Sequence, residues 1–239
     1  MLRIETIAFD GDDTLWHSED VFWSVEQRFQ QLLEKHVPAQ TVSDRLYATE
    51  MRNLSRLGYG AKSFVLSLIE TAIEISDGTI TAADIEVILG FLREIHEHPL
   101  RLIEGARETV ETLARDYTLA LITKGDLFDQ ENKIARSGLA DCFDHIRIVS
   151  EKDHLAYARV LKAWNILPES FVMVGNSLRS DILPVIAGGS HAIHIPYPLI
   201  WRHESVAAIP EESPLFRCTQ HITDVPEIVA EINQRSTRT

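Results

Sequence analysis

Five short apolar runs, at residues 4–9, 118–123, 145–149, 171–174 and 192–195, are separated by segments with helical patterning. Runs of this length bounded by turn signals are strand-sized. Strands that alternate with helices close right-handed crossovers and build a parallel sheet covered on both faces.

The first interval is far longer than the others. A crossover needs about a dozen residues, whereas residues 18–98 are helical in character throughout. Phe64, Leu68 and Ala72, with Val65, Ile69 and Ile73 beside them, form one apolar stripe at i, i+4 spacing. Thr81 and Asp84, ahead of Ile85, Ile88 and Leu89, make a capping-box helix start. The pattern predicts an α/β fold: a parallel-sheet core with helices on both faces from residues 1–16 and 99–239, and an inserted all-helical cap over 17–98. The polar tail 234–239 is expected to fray.

Composition narrows the partners. Lys and Arg number 23 against 36 Asp and Glu, a formal net charge of −13, which is the wrong sign for nucleic acid or an anionic membrane. Neither is expected as a partner. The only cysteines are Cys142 and Cys218, with no CxxC pair, and the opening residues turn acidic before a secretory leader could form. A cytoplasmic location is expected. No stretch approaches the roughly 18 unbroken apolar residues of a membrane helix.

In an open parallel sheet the loops at the carboxyl ends of the strands line the ligand crevice. The first strand delivers Asp10, Asp12 and Thr14; the second Thr123, Lys124, Gly125 and Asp126; the third Ser150, Glu151 and Lys152; the fourth Gly175, Asn176, Ser177, Ser180 and Asp181. Carboxylates, a hydroxyl and an ammonium at one sheet edge are the inventory for a metal ion plus an oxyanion.

These strand ends resemble the haloacid dehalogenase superfamily of aspartate-nucleophile hydrolases. Its DxDx(T/V) motif stands here as Asp10-Gly11-Asp12-Asp13-Thr14, its strand-terminal Ser/Thr as Thr123, its lone Lys as Lys152, and its GDxxx(x)D motif as GNSLRSD at 175–181. All four occur in order, and the resemblance covers essentially the whole chain. It implies a Rossmann-like core with a helical cap and a catalytic set of Asp10, Asp12, Thr123 and Lys152. It further implies phosphate binding by Thr123, Lys124, Gly125 and Lys152, and a magnesium ion held by Asp10, Asp12, Asn176 and Asp181. In such a site Asp10 attacks phosphorus to form an aspartyl-phosphate, while Asp12 protonates the leaving oxygen and later deprotonates water. Cap closure would restrict the substrate to a small phosphorylated metabolite.

Relatives that displace halide commonly carry Tyr where this chain has Asp12, so the resemblance implies a phosphate-ester hydrolase. Dehalogenation or phosphosugar mutation on the same motifs are the alternatives within the family. Two departures stand out: Asn176 replaces the usual metal-binding Asp, and Lys124 stands where relatives often have Asn. A catalytically weak binding or regulatory protein is the reading outside the enzyme class.

Other motifs fail on spacing. An EF-hand starting at Asp10 would need Gly at 15 and Glu at 21, where Leu15 and Val21 stand. GYGAKS at 58–63 lacks the Gly that a Walker loop has before its Lys, and reads as the lead into a helix. His203-Glu204 has Ala207 where a zinc-protease motif needs His. His96-Glu97-His98 reads as a solvated helix end. Trp16, His17 and Trp201 read as packing or hinge residues at the border of the site.

Overall fold

The computed structural model describes residues 2–206 and 209–236. The chain divides into two compact units. One comprises the described residues of Met1–His17, Leu100–Lys124 and Gln130–Thr239; the other comprises Ser18–Pro99 and Gly125–Asp129.

The second unit is built on four helices, α1 (Glu19–Leu33), α2 (Ala39–Leu57), α3 (Ala61–Ile75) and α4 (Ala82–Glu97). Each turns an apolar stripe inward. Val25, Phe29 and Leu33 of α1 meet Val42 and Leu46 of α2, Leu68 and Ala72 of α3, and Ile88 and Phe91 of α4 in one buried cluster. Burying one such side chain contributes about 1.5–3 kcal/mol. The expected capping box is present at α4: Thr81 Oγ1 accepts the Asp84 N–H at 3.1 Å, and the Thr81 N–H donates to Asp84 Oδ2 at 3.3 Å. The GYGAKS segment leads into α3, as its spacing predicts. The N-terminus of α3 is tied within its own unit, where the Ala61 N–H donates to Asp129 and Lys62 pairs with Asp126 at 2.9 Å.

The first unit holds six strands: β1 (Thr6–Phe9), β2 (Thr118–Lys124), β3 (His145–Val149), β4 (Phe171–Gly175), β5 (His191–His194) and β6 (Phe216–Cys218). All adjacent pairs are parallel and the order is β3-β2-β1-β4-β5-β6. The α-helices that accompany the sheet are α5 (Ala106–Leu113), α6 (Leu127–Ser137, whose first residues fall in the other unit), α7 (His154–Trp164), α8 (Leu183–Ala187) and α9 (Val225–Ser236). α9 reaches into the tail expected to fray, and residues 237–239 of that tail lie outside the described residues. The expected Rossmann-like α/β architecture is the one observed.

Strand side chains alternate between faces, and two separate cores result. Ile7, Phe9, Leu119, Leu121, Val172 and Val174 pack with Val110 of α5, Ile134 of α6 and Val229 of α9. Their neighbours Ala8, Ala120, Ile122 and Met173 pack with Tyr157, Val160 and Leu161 of α7 and Val185 of α8. Burial on both faces explains why the central strands read as unbroken apolar runs instead of alternating ones.

Strand order fixes where a site can form. The chain moves outward from β1 through β2 to β3, then returns to place β4 on the other side of β1. The loops after β1 and β4 diverge at this reversal and open a crevice at the carboxyl ends of the strands.

Candidate active site

Asp10 follows β1 at that reversal, with its N–H donating to the Val174 carbonyl of β4 at 2.9 Å. The next residues curl back tightly: the Gly11 carbonyl accepts the N–H groups of Thr14, Leu15 and Trp16, and Asp13 takes a left-handed φ of 61°. Gly11 is required here by space, since a Cβ would stand 2.5 Å from the Trp16 ring.

Lys152, the third residue after β3, is buried with Asp10 and Asp181. Its ammonium lies 2.5 Å from Asp10 Oδ1 and 2.6 Å from Asp181 Oδ1. Burial would lower the lysine's pKa, but the two carboxylates outweigh it and the ammonium is held charged, above the usual lysine range. Burial pushes the Asp10 carboxyl up to about 7, with Asp181 and Asp12 adding to the rise and Lys152 opposing it.

Asp181 belongs to the loop after β4, where residues Leu178–Ile182 form a single π-helical turn, a local distortion that recurs at functional sites. Its Oδ2 accepts the Ser177 N–H at 3.0 Å, so both carboxylate oxygens are engaged. Gly175 lets the carboxylate in: a Cβ there would sit 2.3 Å from Asp181 Cγ. Asn176 takes its place beside the first loop, its Oδ1 accepting from Thr14 Oγ1 at 3.5 Å and its main-chain carbonyl standing 2.9 Å from His194 Nε2. Tyr157 of α7 donates to the Ser180 carbonyl at 3.0 Å and braces the same loop from below.

The Asp12 carboxylate turns toward α6. It receives Lys133 Nζ at 2.8 and 2.9 Å, Gln130 Nε2 at 2.8 Å and Trp16 Nε1 at 2.7 Å. Burial would raise its pKa, but the Lys133 charge and these three donors hold it below the usual carboxylate range. Gln130 also accepts from Thr123 Oγ1 at 3.2 Å, so it links the ends of β1 and β2. Gln130 and Lys133 were not singled out in the sequence, since their partner Asp12 lies 118 and 121 residues away. Trp16 does more than pack: it is fully buried and also donates to Asp12.

Lys124 ends β2 with its ammonium 2.6 Å from Glu204 Oε1, 2.9 Å from Ser180 Oγ and 3.7 Å from Glu151. Glu204 lies in a short 3-10 turn, Arg202–Glu204, and the sequence offered it only within a failed zinc-protease motif. Burial would raise its pKa, but Lys124, Ser177 and Ser180 bring it down to about 2. Gly125 begins the Gly125–Asp129 segment that groups with the helical unit.

Asp10, Asp12, Thr123, Lys124, Lys152, Asn176 and Asp181 thus all belong to the unit that carries the sheet, at its carboxyl edge. Of the four residues the resemblance assigns to a metal, Asp10 and Asn176 keep side-chain oxygens at this edge, the Asp12 carboxylate turns to Lys133, and both Asp181 oxygens are engaged. An all-oxygen set with a single carboxylate fits a hard cation that retains waters, as magnesium does.

Comparison with known proteins bears on the family and the fold. The family profile described as haloacid dehalogenase-like hydrolase matches residues 4–189. A solved haloacid dehalogenase-like hydrolase from Xanthomonas campestris is 43% identical, with a TM-score of 0.88 over 98% of this chain and 94% of that one. A glyceraldehyde 3-phosphate phosphatase from Pyrococcus furiosus is 38% identical over 89 residues; the match spans 35% of this chain and only 37% of that relative. An L-2-haloacid dehalogenase from Xanthobacter autotrophicus, with chloropropionic acid covalently bound, superposes with a TM-score of 0.63 over 95% of this chain and 98% of that one. At 15% identity that last likeness speaks for the fold alone.

Proposed function

The chain belongs to the haloacid dehalogenase-like hydrolases, and on that premise we propose that it hydrolyses small phosphate monoesters through an aspartyl-phosphate at Asp10. The observation that carries this reading is the pairing of Asp10, held by Lys152 at 2.5 Å, with a second carboxylate two residues on. A halide needs no proton to depart. An alkoxide does, and Asp12 is the group that can supply one.

An Asp10 oxygen attacks phosphorus as the bond from phosphorus to the ester oxygen breaks, and Asp12 protonates that oxygen. Water then attacks phosphorus, Asp12 takes its proton, and inorganic phosphate leaves with Asp10 restored. The donors around Asp12 favour its anion, which suits the second step; the first step draws on the smaller protonated fraction. Thr123 and Lys152 are assigned to the phosphoryl oxygens, where charge shifts in the transition state. When bound, magnesium would supply Lewis-acid charge to the phosphoryl group, and Asp10, the Asp12 carbonyl and Asn176 would hold it. Asp181, with both oxygens engaged, is assigned to Lys152 in place of the metal.

The four-helix insert is proposed as the cap that selects the ester's organic group. A small phosphorylated metabolite is the proposed substrate class, in keeping with the phosphatase named among the relatives.

The test pairs two substrates. With magnesium, the protein is expected to release phosphate from a generic aryl phosphate and no halide from 2-chloropropionate; halide release without phosphate release would reverse the reading. Asp12→Asn should then slow an alkyl phosphate by roughly 10²–10⁴-fold, the span of general-acid catalysis, and an activated aryl phosphate much less. Equal losses on the two esters would remove Asp12 as the acid.

A further inference from the structure

Lys124 stands beside Thr123, where a cation would be taken for a phosphate ligand, yet its surroundings assign it elsewhere. Glu204, only 14% exposed at its side chain, reaches back from the segment after β5 with both carboxylate oxygens engaged. Oε1 takes the Lys124 ammonium at 2.6 Å; Oε2 accepts from Ser177 Oγ at 2.5 Å and Ser180 Oγ at 2.6 Å. The network closes on itself, because Lys124 also donates to Ser180 Oγ and the Ser180 N–H donates to Ser177 Oγ at 3.0 Å.

This network grips the loop that carries Asp181. The Ser177 N–H binds Asp181 Oδ2, and Asp181 Oδ1 binds the Lys152 ammonium that reaches Asp10. A continuous chain of hydrogen bonds and covalent loop therefore runs from Glu204 to the attacking carboxylate. Resting on the phosphatase reading above, we propose that Glu204 and Lys124 form one buried brace that positions the loop after β4, and that Lys124 is a positioning residue and not a phosphate ligand.

The two roles for Lys124 differ in kinetics. A brace acts on alignment, and a misplacement of about 1 Å can cost roughly 10²-fold in rate, so kcat should fall while binding of the phosphate is spared. A phosphate ligand would contribute to binding in the ground state as well.

Glu204→Gln, Lys124→Met and the double variant are compared with wild type on an aryl phosphate with magnesium, alongside inhibition by inorganic phosphate. Each single variant is expected to lose roughly 10- to 100-fold in kcat, with KM and phosphate inhibition changed by less than about threefold. The double variant should be no slower than the worse single one, since both changes break the same brace. Ser180→Ala, which keeps both charges and removes only a hydroxyl, should give a smaller loss confined to kcat, and it serves where the charge variants fold poorly. Weakened phosphate inhibition in Lys124→Met, losses that multiply in the double variant, or an unchanged kcat in Ser180→Ala and Glu204→Gln would overturn the proposal. If aryl phosphate is not hydrolysed by the wild type, the phosphatase reading itself fails, and the brace is left to be judged by Asp181→Asn and Glu204→Gln in thermal unfolding: coupled losses support it and additive losses reject it.

Discussion

Asp10→Asn is expected to abolish turnover, with a loss on the order of 10⁴–10⁶-fold, the range seen when a catalytic nucleophile is removed. An amide is a far poorer nucleophile than a carboxylate and a weaker ligand for a hard cation. Stability should move the other way. The Asp10 carboxyl is pushed up to about 7 by burial, so between the ordinary carboxylate range and pH 7 the folded chain holds a proton that the unfolded chain has released. Wild-type stability therefore falls as pH rises through that window. Asn carries no such charge, and above pH 7 the variant should melt at or above the wild-type temperature. Activity assays and thermal unfolding at pH 5 and pH 8 check both halves; a variant that is inactive because it is unfolded would contradict the account.

Lys152→Met is expected to be the costliest single change to the fold of the site. It leaves the buried carboxylates of Asp10 and Asp181 facing each other without the cation that lies 2.5 and 2.6 Å from them. Removing one partner of a buried ion pair typically costs about 3–5 kcal/mol, because the remaining charge is left uncompensated. The penalty should shrink below pH 7, where the raised Asp10 carboxyl takes up a proton. At the alkaline end the sign is opposite: the raised Lys152 pKa gives wild type a stability that is complete below the ordinary lysine value and fades as pH rises above it. The variant has no such alkaline loss. Adding Asp181→Asn to Lys152→Met should recover part of the stability but none of the activity. Denaturant unfolding across pH would show this; a Lys152→Met protein as stable as wild type at pH 7 would mean that Lys152 does not hold the two buried carboxylates together.

The parts of the fold that follow from local periodicity were legible in the sequence. Residues 4–9, 118–123, 145–149, 171–174 and 192–195 mark the first five strands: β1, β2, β4 and β5 are apolar runs buried along their length, whereas the edge strand β3 is largely exposed and reads as a strand from its β-branched residues. Thr81 and Asp84 announce their helix because a capping box is a local hydrogen-bond pattern. β6 was not legible: Phe216–Cys218 is three residues long, too short for any period to register. In the site, the residues at strand ends could be read because the sheet places every such end at one edge. Lys133 and Glu204 could not, since the first is 121 residues from Asp12 and the second 80 residues from Lys124. Nothing local marks a polar side chain whose partner arrives only on folding. Trp16 reads as core from its type, and its indole N–H bond to Asp12 depends on the tight turn at Gly11.

The central claim is a covalent phosphoryl intermediate on Asp10, and acid-quenched peptide mapping addresses it directly. Wild-type protein mixed with aryl phosphate and magnesium, stopped in acid within one turnover and digested, should yield a single phosphorylated peptide, with the group on Asp10 as a hydroxylamine-labile acyl-phosphate. The same peptide from Asp10→Asn should carry none. Phosphate released at full rate with no adduct on Asp10, or an adduct on a serine or threonine that survives hydroxylamine, would contradict it.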